Sequence, residues 1–338
     1  MFCGNRSSNL RRHSTRQGRH PIALIFGEDD MAKYLVTGGC GFIGSHLADG
    51  LIAAGHSVRI LDHLSTGQLA NAPDAVQLMI GDASDPVVAL RSMDGMDGCF
   101  HLAAVASVER ANMEWLATHR VNQSATIAIL DAARATGPIP VVYASPAAVY
   151  GDNPNTPLKE DATTHPLNAY GADKLGCELH ARVAGGVHGV PTMGLRFFNV
   201  YGPRQDPKSP YSGVISIFCD RISAGKPITI FGDGGQERDF VYVADVVRRL
   251  IKAMKHADTS ARVYNVCTGQ PTDIQSLANT IGAVFDTQPE IKFGPPRVGD
   301  IRRSIGNPDA STAALGALKL TPLNFGLGYT IGPRIRAA

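Results

Sequence analysis

The stretch Thr37-Gly38-Gly39-Cys40-Gly41-Phe42-Ile43-Gly44 constrains this chain more than any other. Before it, Lys33-Tyr34-Leu35-Val36 is a short apolar run of the kind that forms a strand buried on both faces. After it, Ile43, Leu47 and Leu51 recur at helical spacing, and Gly55 is a suitable C-cap. Strand, glycine turn and helix make the first half of a βαβ unit. The glycines at 38, 41 and 44 then have separate uses: a tight turn, close backbone approach to a pyrophosphate, and close packing of helix on strand. In a chain with 36 glycines such a run is weak evidence alone, and its context gives it weight. A second strand, Ser57 to Leu61, ends on Asp62. That carboxylate lies close to ~20 residues beyond the glycines, where it would accept ribose hydroxyls. Asp62 would repel a 2′-phosphate and His63 is not an obligate cation, so the pattern favours NAD over NADP.

Strands continue to alternate with helices. Val76 to Ile80 is a third strand, running into Gly81-Asp82-Ala83, where Asp82 is suited to meet an adenine amino group. Cys99 to Ala104 is a fourth, and its small residues Ala103 and Ala104 let backbone pass close to a flat ligand. His101 within it reads as a packed strand histidine. Val121, Ala125, Ile129 and Ala132 predict a helix over about 119–136, and Val141 to Ser145 a fifth strand. This alternation predicts an α/β fold, a doubly wound parallel Rossmann sheet with its ligand beyond the strands' carboxyl ends. A helix opening near Asn168 carries Tyr170 and Lys174 at i, i+4, on one face. A free tyrosine is a phenol at neutral pH, with a pKa of about 10. A nearby cation favours the phenolate, and a positive nicotinamide ring would add to it. The outcome is a base able to take a hydroxyl proton while hydride leaves the same carbon.

Composition excludes other classes. A chain of 338 residues buries a large core as one big or two intimate domains. A net charge of +2 suggests neither nucleic acid nor an anionic membrane as partner. No apolar run approaches the ~20 residues that span a bilayer. The 6 cysteines are scattered without a CxxC pair, so no metal site is expected and a reducing cytoplasm fits. Residues 1–30 are rich in arginine and serine with no acid before Glu28, which reads as a transit peptide or as a start placed upstream of Met31, and as a disordered extension in either case.

Several ordered motifs together resemble the extended short-chain dehydrogenase/reductases, within them the NAD-dependent nucleotide-sugar epimerase/dehydratase group. They are TGGCGFIG at 37–44, Asp62, GDASD at 81–85, HLAA at 101–104, YGADK at 170–174, LRFFNVYGPRQ at 195–205, ERDFVYVADV at 237–246 and RVGDIRRS at 297–304. The resemblance covers roughly residues 31 to 330, and the most similar subgroup is the UDP-hexose 4-epimerases, especially those acting on N-acetylated sugars. It implies a Rossmann domain over 31–195 and a smaller, partly interleaved α/β substrate part over 196–338. It implies an NAD surface from Gly38, Gly41, Phe42, Ile43, Gly44, Asp62, Asp82, Ala83, Leu102, Ala103, Ala104, Tyr170, Lys174 and Phe197. Tyr170 would remove the O4 proton of a UDP-sugar as hydride passes from C4 to NAD, and hydride would return to the other face of the 4-keto sugar. Asn199, Arg238 and Arg297 would hold UDP, Thr229 and Phe231 would flank the uracil, and Asp300 would meet its ribose. Two arginines on a diphosphate also suit the chemistry. Ser304 stands where some family members carry a bulky tyrosine, leaving room for an N-acetyl group. A two-fold homodimer would pair helices at about 119–136 and 169–184.

One departure matters. The family's second residue after the fifth strand supplies a hydroxyl that bridges O4 and the tyrosine, and here the pair is Ser145-Pro146. Proline has neither hydroxyl nor N–H. Ser145 is the remaining hydroxyl candidate for catalysis, although strand alternation points it away unless a bulge intervenes. Water in its place, or binding of NAD and nucleotide sugar without efficient turnover, are the other outcomes left open. Ala147 and Ala148 occupy the positions where 4,6-dehydratases need Asp-Glu, and the decarboxylases' glutamate is also missing, while a UDP-glucuronate 4-epimerase stays open.

Overall fold

The computed structural model describes residues 31–207, 213–297 and 299–335, so the expected extension at 1–30 lies outside the described residues. In chain order the first elements are β1 (Lys33–Thr37), α1 (Phe42–Ala53), β2 (Ser57–Asp62), β3 (Gln77–Ile80), α2 (Pro86–Met93), β4 (Gly98–His101), α3 (Val108–Met113), α4 (Trp115–His119), α5 (Ala125–Ala135), β5 (Val141–Pro146), α6 (Ala169–His188) and β6 (Thr192–Phe197). There follow β7 (Asn199–Tyr201), α7 (Val214–Ser223), β8 (Ile228–Phe231), β9 (Glu237–Tyr242), α8 (Val243–Met254), β10 (Arg262–Val266), β11 (Pro271–Asp273), α9 (Ile274–Val284), β12 (Ile291–Gly294), β13 (Arg303–Ser304), α10 (Asp309–Leu315) and α11 (Leu323–Ile335).

Seven strands form one parallel sheet in the order β10-β6-β5-β4-β1-β2-β3. Alternation along each strand splits its core in two. Val36, Ile60, Phe100, Val142 and Leu195 face α1 and α8, while Leu35, Leu61, Cys99, Val141 and Tyr143 face α2, α5 and α6. This is the doubly wound Rossmann architecture. The strand order reverses between β1 and β4, where Thr37 and His101 end side by side, and such a switch point is where α/β sheets hold ligands. A smaller part gathers β7, β11 and β13 around β9, pairs β8 with β12, and packs them with α7, α9 and α11.

One local expectation is corrected. The helix expected over 119–136 begins earlier, at Trp115, and passes through a wide π-helical turn, Arg120–Ser124, before α5. Asn122, fully buried in that turn, accepts the Val105 N–H at 2.8 Å, a polar inward position that apolar periodicity does not register. The tail carries Gly332-Pro333, residues that ordinarily break a helix, yet it stays helical to Ile335. Leu327 and Ile331 are fully buried in the core of the smaller part, and that burial outweighs the local breakers.

Beneath the carboxyl ends of β5 and β6, α6 is fastened by a buried ion pair. Arg196 donates to both oxygens of Glu178, at 2.9 and 2.7 Å, and its remaining nitrogen reaches the Tyr150 hydroxyl at 2.8 Å. Truncating Glu178→Ala strands the buried guanidinium, which should cost about 3–5 kcal/mol of stability. Denaturant unfolding measures it, and a loss under about 1 kcal/mol would mean that the pair does not fasten the helix.

Candidate active site

The turn after β1 is shaped by contacts that leave no space for side chains. Gly38 is left-handed at φ +70, and a Cβ there would lie 2.8 Å from the Ala103 nitrogen. A Cβ on Gly44 would lie 2.2 Å from the Gly38 carbonyl oxygen, so α1 packs against the turn only because residue 44 has no side chain. No side chain caps the N-terminus of α1, whose first N–H groups and dipole are suited to an anion. Thr37 Oγ1 accepts the N–H groups of Leu102 and Ala103, each at 3.2 Å, tying the end of β4 to the turn.

These elements wall a cavity of about 660 Å³. Every residue that the sequence set against the cofactor lines it: Gly38, Gly41, Phe42, Ile43, Gly44, Asp62, Asp82, Ala83, Leu102, Ala103, Ala104, Tyr170, Lys174 and Phe197. Asp62 is held at the end of β2 by the Cys40 N–H on Oδ2, at 3.0 Å, and the Leu64 N–H on Oδ1, at 2.8 Å. A Cβ on Gly67 would lie 2.9 Å from that carboxylate, so the loop after β2 also closes round it. Its absent side chain, the glycine turn, the uncapped helix and the fixed carboxylate fit a dinucleotide with ribose hydroxyls. The wall also includes Ser107, Arg110, Arg204, Gln205 and Asp206, which were not assigned from the sequence.

Tyr170 and Lys174 project from the first turns of α6, whose N-terminus is capped by Asn168 Oδ1 accepting the Gly171 N–H at 2.8 Å. The electrostatics differ from the expectation. Burial pushes the Tyr170 phenol above its ordinary range, and the buried Cys177 thiol adds to it. Burial pulls the Lys174 ammonium down, with Cys177 and Asp173 opposing. The protein's own atoms therefore favour a phenol rather than the lysine-lowered tyrosine expected from spacing, because desolvation dominates. His101 is the packed histidine expected, pulled down to about 3 by burial and by Lys174. Its hydrogen-bonding is fully determined: Thr126 Oγ1 donates to the Asn122 carbonyl, so His101 Nε2 donates to Thr126 and Nδ1 accepts from Thr37.

Ser145 lies elsewhere. The register Ser145↔Arg196, Pro146↔Phe197 runs on without a bulge. Alternation therefore turns the buried Ser145 hydroxyl away from the cavity to donate to Glu178 Oε1 at 2.6 Å. Ala144, one residue earlier, is the one that lines the cavity.

The residues expected on the nucleotide sugar lie outside that cavity's wall, in the smaller part. Arg238, on β9, donates to Asp300 at 2.5 Å, and burial lowers its affinity for a proton while Asp300 opposes this. The Arg297 guanidinium lies 4.2 Å over the Phe231 ring. Gln236, which the sequence reading passed over, joins them by donating to the Phe231 carbonyl at 2.6 Å and to Asp300 at 3.1 Å. Ser304 is in register with Arg238, and Asn199 with Phe240 farther along β9. Thr229 sits apart from Arg238 in the β8–β12 pair, two residues before Phe231. Among the described residues no cluster of His, Cys, Asp or Glu could hold a metal, and no helix is long and apolar enough to cross a membrane.

Residues 34–267 match the model of the NAD dependent epimerase/dehydratase family. The chain belongs to that family. It is 36% identical over 306 residues to the UDP-glucose 4-epimerase of Mycolicibacterium smegmatis, covering 88% of this chain and 97% of the relative. A UDP-N-acetylglucosamine 4-epimerase from Methanobrevibacter ruminantium, solved in complex with UDP-N-acetylmuramic acid, is 34% identical with a TM-score of 0.85, covering 91% of this chain and 99% of the other. A Thermus thermophilus UDP-glucose 4-epimerase solved with NAD is 33% identical with a TM-score of 0.84, covering 90% and 100%. This chain is thus an NAD-dependent epimerase, an isomerase.

Gly44→Ala tests the cradle. Its Cβ must push α1 off the turn, and NAD affinity should fall by at least about tenfold while the protein stays folded. Titration of the apoprotein with NAD, alongside circular dichroism, reads both, and unchanged affinity would sink this account of the turn.

Proposed function

We propose that this protein is a nucleotide-sugar 4-epimerase acting on UDP-hexoses, both UDP-glucose/UDP-galactose and UDP-GlcNAc/UDP-GalNAc. The observation that carries the reading is the convergence of Tyr170 and Lys174 on the cavity that also contains the glycine turn and Asp62. Bound NAD supplies a hydride acceptor and, when oxidised, a positive ring. Tyr170 takes the O4 proton as hydride leaves C4, then gives it back once the 4-keto sugar has turned over. Lys174 supplies the nearby positive charge that favours the phenolate against desolvation. Arg238 and Arg297 exchange their present partners, Asp300 and the Phe231 ring, for the diphosphate, with Asn199 beside them. Phe231 and Thr229 receive the uracil and Asp300 its ribose. Ser304 leaves space at C2 for an acetamido group.

Pro146 removes the usual bridging hydroxyl and Ser145 is committed to Glu178, so Tyr170 works directly or through water at reduced rate. A coupled assay over a panel of UDP-sugars tests the substrate. Turnover of both acetylated and plain hexose pairs is expected, loss of both on Tyr170→Phe, and a gain of about tenfold or more with Pro146→Ser. Turnover of the plain pair alone would remove the proposal for N-acetyl sugars. Retained NAD without any turnover would favour a binding protein, and an unchanged Pro146→Ser rate would mean the hydroxyl is not limiting.

We further propose a two-fold homodimer. Leu179, Val183 and Val187 stand at i, i+4 and i+8 on α6 and are 52%, 49% and 72% exposed, beside Trp115 and Leu116 of α4, 67% and 68% exposed. Sedimentation should give a dimer for the wild type and a monomer for Val183→Asp, and a wild-type monomer would refute it.

A further inference from the structure

The outer wall of the cofactor cavity includes a turn after β7, from which Arg204, Gln205 and Asp206 face the cavity. That turn is fastened to α1. Arg204 Nη2 pairs with Asp49 Oδ2 on α1 at 2.7 Å, with the two side chains 28% and 34% exposed. One helical turn nearer the glycines, His46 Nε2 donates to the Pro203 carbonyl at 3.0 Å, and His46 itself stands edge-on to the Phe42 ring, 6.0 Å between centroids. Asp49 and His46 are thus neighbours on one face of the helix whose first turn would meet the pyrophosphate. Arg204 also holds φ +66, a left-handed conformation that a non-glycine residue adopts at a cost and keeps only when its surroundings impose it.

We infer that the Asp49–Arg204 pair is a positioning device for cofactor retention. It clamps the turn against α1, so that Gln205 and Asp206 remain as a wall opposite the glycine turn and bound dinucleotide is slow to leave. Neither side chain needs to touch the cofactor. An epimerase gains from such a clamp, because the hydride taken from the sugar must be returned from the same dinucleotide within the same turnover. If reduced cofactor departs mid-cycle, the hydride leaves with it, and the sugar is released two electrons more oxidised, as its 4-keto form. This consequence rests on the epimerase reading, whereas the clamp itself does not.

The test is the dissociation rate of NAD from the holoprotein, followed after dilution into a dehydrogenase that consumes the released cofactor. Asp49→Asn and Arg204→Ala should each raise the rate by about three- to tenfold, in line with the coupling of a half-exposed ion pair plus relief of the strained turn. The double variant should be no faster than the quicker single variant, since both remove one interaction. Reversing the charges in Asp49→Arg/Arg204→Asp should bring the rate back toward wild type, as aspartate tolerates the left-handed conformation. Thermal unfolding of the cofactor-free variants should stay near wild type, separating retention from stability. Wild-type dissociation in both single variants, additive effects in the double, or a failure of the reversed pair to recover would each overturn the inference. The rate needs no sugar, so a wrong substrate assignment leaves this outcome intact; with UDP-hexose present, variants that leak should also release NADH and a 4-keto product.

Discussion

The bidentate contact between Arg196 and Glu178 determines where the helix bearing Tyr170 and Lys174 sits. Glu178 lies about two helical turns beyond Tyr170 and one beyond Lys174 on α6. Fixing its carboxylate to the end of β6 sets both the rotation and the height of the helix against the sheet. The same carboxylate oxygen accepts the Ser145 hydroxyl, and the same guanidinium donates to the Tyr150 hydroxyl, which donates in turn to Asn265 on β10. The ends of three adjacent strands and the helix bearing the reactive pair are thereby bound in one satisfied polar network. Such a network is costly to bury unless complete, and here completeness defines a single placement of α6.

That network also explains why the missing hydroxyl cannot be supplied locally. Residues 145 and 146 face opposite sides of β5, and only the face of Ala144 opens on the cofactor cavity. Turning Ser145 round would require a bulge. It would also break the register with β6 and leave Glu178 short of a partner beside a buried arginine. The cost exceeds what a single catalytic hydrogen bond returns to stability. Proline at 146 is structurally at ease, since it ends the strand. On the proposed reading, local chemistry and local fold have therefore separated: the position keeps its backbone role without a proton relay.

The sheet and cofactor wall were legible because each depended on a short, contiguous cause. Glycine spacing, a carboxylate closing β2 and small residues after β4 act within a few residues of one another, and parallel pairing then brings the strand ends together. The π-helical turn at Arg120–Ser124 was not legible, because its cause is a buried asparagine reaching across to Val105. Nor was the persistence of α11 through Gly332-Pro333, which rests on burial against α7 and α9 rather than on propensity. Spacing placed Tyr170 and Lys174 on one face but carried no information on desolvation, so the direction of the tyrosine's shift came out reversed.

The cofactor cavity and the proposed sugar site are held together differently, which suits the proposed reaction, in which one partner stays and the other must turn. The cofactor wall comes from the ends of β1, β2 and β4, from a helix that backbone contacts at Gly38 and Gly44 press into place, and from α6. The residues set against the nucleotide sugar come from a smaller set of strands, and several already hold one another: Arg238 with Asp300, Arg297 over Phe231, Gln236 between them. For a nucleotide to bind, these contacts must be exchanged rather than added, so part of the attraction between arginine and diphosphate is spent on breaking them. At the proposed site, binding would be weakened by that exchange while its specificity is kept, since only a ligand offering both a flat base and a diphosphate would replace both kinds of contact at once. In the proposed reaction, a loosely held sugar beside a firmly held dinucleotide is the asymmetry that would let a 4-keto intermediate rotate before the hydride returns.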